Sequence, residues 1–288
     1  MRKEEHMPEK IHVDLGNVQK TLFLPLWGRA CEIRKAHPLL VDSKALEIID
    51  RVDFDFAALA GKISGLSRAG WIMRSICTDR VIARVLETHP QATIVNIGCG
   101  LDTTFDRVDN GQLHWFELDL PEVIALRKQF IPESERRKTL SASFLEKNWR
   151  KEIRPAEKVL FLAAGVFYYF REEELKGFFK SLADDFPGGE ILFDVCSPLG
   201  VKTANRMVVR QAGMDERSFL RWGLERPEDL LSWDSRFTLL ETIFYFGEKR
   251  LDFATRMMGF VSDVLKIQYM IHLDLGKGGQ NRPGSRGP

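Results

Sequence analysis

Residues 92–119, ATIVNIGCGLDTTFDRVDNGQLHWFELD, constrain the fold of this chain more than any other stretch. The segment 93–97 is almost continuously apolar and rich in β-branched residues, the composition of a strand buried on both faces of a parallel sheet. It runs into Gly98-Cys99-Gly100. Two glycines around one small residue let the backbone turn sharply and approach a ligand with no Cβ in the way. A short helix follows, Asn110-Gly111 marks a tight turn, and 113–118 reads as a second strand with Glu117 and Asp119 near its C-terminal end. In an open α/β sheet that end faces the ligand, and an acid about 20 residues past a glycine turn is placed to accept hydrogen bonds from a ribose diol.

These residues alone leave three readings open. A dinucleotide needs a pyrophosphate cradle and, in G-x-G-x-x-G, a third glycine for close helix packing. Here Thr103 holds that position and Asp102 stands in the turn, where its carboxylate repels a pyrophosphate. S-adenosylmethionine has no phosphate; it offers an ammonium, a sulfonium and a ribose, which acids near the loop suit. A strand–turn–helix with no ligand carries the same short glycine pattern.

At 288 residues the chain is long enough for one large α/β domain with an added cap. It is 44% hydrophobic and 29% charged, a balance that predicts a soluble globular protein. The net charge of +1 gives no basis for a nucleic-acid partner. The start, MRKEEHMPEK, lacks the apolar core of a secretory signal, and the longest apolar run, 159–170, is too short to span a bilayer. Cys31, Cys77, Cys99 and Cys196 lack C-x-x-C spacing and the histidines are scattered, which predicts free thiols in a reducing cytoplasm and no metal site.

Along the chain, residues 1–17 read as a flexible arm. The stretch 18–31, VQKTLFLPLWGRAC, is apolar and aromatic, with Pro25 and Gly28 as breakers. Phe23, Leu24, Leu26 and Trp27 form either a lid over a ligand or ordinary packing on the domain. A helix is predicted over 42–52, capped by Asp42 or Ser43, with Ala45, Ile48, Ile49 and Val52 on one face. Another covers 71–87, its core face made by Val81, Ile82, Val85 and Leu86. Arg68 and Arg74 bracket its start; an arginine there is either a bidentate fork for a ligand carboxylate or a solvated charge.

After Asp119, Pro121 opens a helix, Arg136-Arg137-Lys138 reads as a solvated loop, and 139–144 as the third strand, ending in Ser143-Phe144. The fourth strand spans 158–164 and is followed by Gly165-Val166-Phe167-Tyr168-Tyr169. Glu172, Glu173 and Glu174 suit the first turn of the next helix. The fifth strand covers 190–196. Residues 197–235 break the rhythm and predict helices inserted over the top edge of the sheet. Strands at 237–246 and 267–274 enclose a helix with Phe253, Met257, Phe260, Val261 and Val264 as its apolar residues. The tail 276–288 is disordered on composition. One domain is expected over 18–275, with a helical cap at 18–90 and the insertion at 197–235.

The pattern resembles the class I S-adenosylmethionine-dependent methyltransferases. More narrowly it is similar to the leucine carboxyl methyltransferase superfamily, in the branch of the tetracenomycin polyketide-synthesis O-methyltransferases. The resemblance covers about residues 15–275 and rests on KTLFLPLWGRA (20–30), RAGWIMR (68–74), VNIGCGLDTTFDRVDNG (95–111), ELDLPEVIALRK (117–128) and LAAGVFYYFREEEL (162–175). It implies a Rossmann-like, mostly parallel sheet with an antiparallel last strand, helices on both faces and an N-terminal helical lid. Alternation of Ile267, Tyr269, Ile271 and Leu273 with polar neighbours suits that last strand.

The resemblance also implies roles. Arg74 corresponds to the arginine that holds the cofactor carboxylate. Gly98 and its loop, with Cys99, Gly100 and Asp102, correspond to the contact with the methionine portion. Asp119, rather than Glu117, corresponds to the ribose acid. Ser143 and Phe144 correspond to the pair flanking the adenine, with serine where the carboxyl methyltransferases have aspartate. Ala164 stands where those enzymes have glutamate, which turns the expectation from a protein substrate to a small molecule.

The implied activity is O-methylation of a small-molecule hydroxyl or carboxylate, polyketide-like in type, with S-adenosylmethionine as cofactor. A catalytically silent binding protein and an NAD-linked oxidoreductase are the alternatives. Trp27, Tyr168 and Tyr169 are the aromatic candidates for the pocket, beside Phe167. No histidine offers a convincing general base: His89, His114 and His272 fall away from the mouth, His6 and His12 in the arm, and His37 alone has a path to it. An acceptor that is already acidic follows. Neither a nucleic-acid nor a membrane partner is expected, and the sequence leaves the oligomeric state open.

Overall fold

The strand pair at 93–119 becomes the centre of a seven-stranded sheet. The computed structural model describes residues 10–12, 17–56, 63–153, 157–206 and 219–276. The central strands are β3 (Thr93–Ile97), β4 (His114–Asp119), β5 (Arg137–Ser141), β6 (Val159–Ala163) and β7 (Glu190–Val195). All of them run parallel. β8 (Thr238–Ile243) and β9 (Tyr269–Asp274) complete the sheet in the order β5-β4-β3-β6-β7-β9-β8. β9 lies antiparallel between β7 and β8. The order reverses between β3 and β6, and in such sheets the crevice beyond the strand ends at the reversal is where ligands bind. The loops beginning at Gly98 and Ala164 flank that crevice.

Burial on both faces explains the unbroken apolar strands. Val95, Ile97, Phe161 and Phe193 point into one core with α6 (Glu172–Asp185). Ile94, Leu160, Leu162 and Leu192 point into the other, with α3 (Gly65–Thr88). The cap adds a third cluster, in which α1 (Asn17–Ile33) and α2 (Ser43–Arg51) pack Phe23, Leu26, Ile48 and Ile49 together. Asp42 caps α2, accepting from the Ala45 N–H at 2.9 Å.

Several expectations are corrected. Neither Pro25 nor Gly28 breaks α1, which runs through both. Gly28 is there for packing: a Cβ at that position would lie 3.1 Å from the Trp71 ring. Within the arm, Ile11 and His12 form a strand (β1, Ile11–His12) parallel to β2 (Val52–Asp53). Residues 1–9 and 13–16 of the arm lie outside the described residues, as do 207–218 of the insertion and the tail from 277.

Arg137 is no solvated loop residue. It sits buried in β5, paired with Asp106 at 3.0 Å and stacked on Phe105 at 4.7 Å. The strand therefore begins and ends earlier than the pattern predicts, leaving Ser143 and Phe144 in the loop beyond it. The helix α8 (Phe253–Val264) turns its apolar residues outward. Among the described residues no helix is long and apolar enough to cross a membrane.

Candidate active site

The glycine loop is shaped by backbone bonds and close approach. Gly98 (φ +61°) and Gly100 (φ +47°) adopt left-handed conformations. The N–H groups of Gly98 and Cys99 donate to the Leu118 carbonyl at 2.7 and 3.2 Å, tying the loop to the end of β4. A Cβ on Gly98 would meet Val166 Cγ2 at 2.5 Å, and one on Gly100 would meet Leu22 Cδ2 at 2.9 Å. Cys99 is buried, which pushes its thiol well up.

Asp119 stands at the end of β4. Its Oδ2 accepts from Gly100 N–H at 2.7 Å and its Oδ1 from Leu120 N–H at 2.8 Å. Each oxygen thus keeps capacity for a ligand hydroxyl. Burial raises the Asp119 carboxyl, opposed by those two backbone donors. Asp102 reaches back across the loop, accepting from Asn96 Nδ2 at 3.0 Å and Thr104 N–H at 3.2 Å, with Arg29 3.8 Å away. Burial pushes its carboxyl up, but Arg29 and Arg107 more than offset this and hold it below its ordinary value.

Glu117, which the sequence places with Asp119 near the ligand-facing end of this strand as a candidate cofactor contact, is not at the mouth. It is buried under the loop in an ion pair with Arg127 of α5 (Pro121–Arg127). Arg127 Nε donates to Glu117 Oε2 at 2.5 Å, and Nη1 to the Gly100 carbonyl at 2.9 Å. Thr103, at the third glycine position, has its own task. Its hydroxyl bonds to Asp42 Oδ2 at 2.6 Å, where Arg29 and Arg107 also converge at 2.8 and 2.7 Å. This network fastens α4 (Thr104–Val108) to the cap.

Across the crevice, Ala164 and Gly165 (φ +85°) follow β6 and lead into a 3-10 turn, Phe167–Tyr169. The organising group here is Asp194 of β7, fully buried. Its Oδ1 accepts from Gly165 N–H at 2.6 Å, and its Oδ2 from Arg74 Nη1 at 2.8 Å and Gln268 Nε2 at 2.7 Å. Arg74 is therefore a buried, paired cation and not a solvated charge. Sequence reasoning missed Asp194 and Gln268. The available signal was a lone acid inside the apolar run ILFDVC, since such groups are buried only when partnered.

Tyr168 is buried beside this cluster, its hydroxyl 3.3 Å from where a Gly165 Cβ would be. Burial pushes its phenol well above the ordinary value and that of the neighbouring Tyr169 up to about 12. Trp27 is buried in the cap cluster with Leu101, under the Arg68 guanidinium at 5.7 Å. From α1, Leu22 lies against Gly100 and Arg29 reaches toward Asp102, while Phe23, Leu24, Leu26 and Trp27 are buried in packing. Phe144 turns its ring into the core against Phe170 and Phe178, at centroid separations of 4.7 and 4.8 Å. Ser143 beside it is half-buried. His272 pairs with Glu190 at 2.7 Å at the opposite end of the sheet, His89 and His114 lie at that same end, and His37 is exposed after α1. Among the described residues no cluster of histidine, cysteine or carboxylate could hold a metal.

The sheet order, the antiparallel β9 and the glycine loop facing an acid at the end of β4 define a class I S-adenosylmethionine-dependent methyltransferase. A family model described as leucine carboxyl methyltransferase matches residues 23–183, more than half of the chain, and the chain belongs to that family. It is 26% identical over 240 residues to the tetracenomycin polyketide synthesis O-methyltransferase TcmP of Streptomyces glaucescens, covering 81% of this chain and 87% of that protein. It is 25% identical over 241 residues to the S-adenosyl-L-methionine-dependent methyltransferase dpfgK of Gibberella zeae, covering 77% and 80%. Among solved structures, a DUF574 family protein from Streptomyces avermitilis shares the fold with a TM-score of 0.54 at 12% identity, covering 86% of this chain and 96% of that one. The cofactor is S-adenosylmethionine. The donor set fits it: a loop that only glycine allows, one carboxylate with acceptor capacity for a diol, and a second carboxylate held ionised beside the loop.

Asp119→Ala is expected to weaken cofactor binding by about 2–3 kcal/mol, the scale of hydrogen bonds to a charged group. Asp119→Asn, which can retain one acceptor, should lose less. Titration calorimetry of both variants checks this; equal affinity in the alanine variant and the parent would remove Asp119 from the site.

Proposed function

We propose that the chain methylates an acidic oxygen of a small molecule: a carboxylate, or an enol or phenol acidified as in polyketide-type compounds. The observation that carries this reading is the chemistry of the mouth. Burial raises the phenols of Tyr168 and Tyr169 further above their ordinary value, which keeps them protonated, and the histidines of β4, β9 and the end of α3 lie at the other end of the sheet. An acceptor ionised at neutral pH needs no base, whereas an ordinary phenol with pKa near 10 gains from one. The activity named for TcmP, an O-methyltransferase of polyketide synthesis, and Ala164 in place of the carboxyl methyltransferases' glutamate support the same choice.

Bound S-adenosylmethionine supplies an electrophilic methyl on its sulfonium. This chain's task is to position the acceptor in line and exclude water, which is chiefly a proximity effect. We assign Asp119 to the ribose, the free edge of Arg74 to the cofactor carboxylate, Asp102 and the Gly98–Gly100 backbone to the methionine portion, and Ser143 to the adenine amine. Ala164, Tyr168 and Tyr169 border the acceptor side. Cysteines that are free, three of them buried, suit a reducing cytoplasm.

Transfer of a labelled methyl group from the cofactor to a panel of phenols and carboxylic acids tests the reading. Carboxylates and acidic enols should be methylated well ahead of simple phenols. With any acceptor found, turnover should follow the acceptor's own ionisation and survive His37→Ala with little loss. An enzyme-borne limb near pH 6.5, the ordinary histidine range, that vanishes in this variant would show a histidine base and overturn it.

A further inference from the structure

The helix α8 is amphipathic in the wrong direction for a helix covering a core. Its buried residues are Gly259 and Ser262. A Cβ at Gly259 would overlap the Phe246 ring, 2.1 Å from its Cγ. Asp263 accepts from the N–H groups of Tyr245 and Phe246 at 3.2 and 2.9 Å. These contacts fix which face looks inward. The outer face carries Phe253 at 78% exposure, Phe260 and Val264 at 62%, and Met257, Met258 and Val261 at 53%.

Scattered exposed apolar residues are ordinary, but contiguous patches beyond a few hundred Å² mark interaction sites. At about 150–200 Å² for each large apolar side chain, these six present roughly 500–700 Å². A stable protein interface takes about 800 Å² from each partner. One helix therefore supplies most of an interface.

We propose that the outer face of α8 packs antiparallel against the same face of a second copy of this chain, across a twofold axis. Residues 253, 257, 260 and 264 are spaced four, three and four apart, a pattern that reads the same from either end. An antiparallel copy then sets Phe253 against Val264 and Met257 against Phe260, the self-complementary arrangement a twofold interface requires. The stripe contains no charge; Arg256 lies beside it and remains free to reach water. A membrane-surface helix would carry several Lys or Arg on its polar face, and α8 has Arg256 alone, with Asp252 at its N-cap and Asp263 within it.

Sedimentation equilibrium of the full chain tests this. The parent should be a dimer, and Phe260→Asp should raise the dissociation constant on the order of 100-fold or more, because a charge would be buried at the seam. Measured at concentrations below the parent's dissociation constant, where both are monomers, that variant should keep the parent's unfolding free energy, and it should keep its affinity for S-adenosylmethionine. The double variant F253C/V264C should cross-link to a covalent dimer on mild oxidation, more efficiently than F253C alone. A monomeric parent, a dimer indifferent to Phe260→Asp, or binding of the parent to neutral or anionic lipid vesicles that Phe260→Asp abolishes would each overturn the proposal. So would a Phe260→Asp variant that loses stability as a monomer, which would show that residues of the same chain cover the face.

Discussion

Glu117→Ala is expected to destabilise the folded chain by about 3–5 kcal/mol with no ligand present, the scale of breaking a buried ion pair from one side. Glu117 and Arg127 are both almost wholly inaccessible to solvent. Removing the carboxylate leaves a guanidinium among apolar side chains, with the Gly100 carbonyl as its remaining partner. Replacing both residues, as Glu117→Leu with Arg127→Met, should recover most of the loss, because a pair of apolar side chains strands no charge. The loop would then lack its prop at Gly100, so the double variant should be stable yet weaker in cofactor binding. Denaturant unfolding and calorimetry separate the two effects. A Glu117→Ala protein of unchanged stability that binds no cofactor would place Glu117 at the mouth after all.

Asp194→Ala should cost a similar amount, about 3–5 kcal/mol, for the same reason. It strands Arg74, a buried cation whose charged form Asp194 favours against the opposing effect of burial, and removes the acceptor of Gly165 N–H and Gln268. Arg74→Lys probes the other side of the pair. A lysine can keep the charge next to Asp194 but cannot offer a second edge to a carboxylate. Stability should therefore fall little while cofactor affinity drops about tenfold or more, the equivalent of one lost charge-assisted bond. Unchanged affinity would confine Arg74 to holding β7 and the Gly165 turn together.

The parallel strands, the glycine loop and the acid at the end of β4 were legible because each is a local pattern: a short apolar run, two glycines, one carboxylate at a fixed remove. Glu117 and Asp119 both lie near that strand end, and only the position of Arg127, ten residues further on, separates a structural acid from one facing the crevice. The charge run at 136–138 concealed Arg137 because its partner Asp106 and the Phe105 ring beneath it belong to another element. In α8 the apolar period was plain, but Gly259 against Phe246 decided which face turned inward, a contact that no periodicity encodes. Trp27 was drawn toward a ligand by its chemistry, while the continuity of α1 through Pro25 placed it in the cap.

The last strand among the described residues, β9, sits inside the sheet. Until residues 269–274 have left the ribosome, β7 presents an open edge and β8, whose pairing in the sheet is with β9, has no place to dock. Gln268 arrives with them, so the carboxylate of Asp194 also waits for its last donor. From the emergence of β8 until β9 follows it, a nascent chain of this kind carries two unpaired edges, the sort that invite intermolecular pairing. A premature stop before residue 268 would remove β9, leave β8 without its partner and take Gln268 from Asp194, and its product should be recovered as aggregate, not as a shortened enzyme.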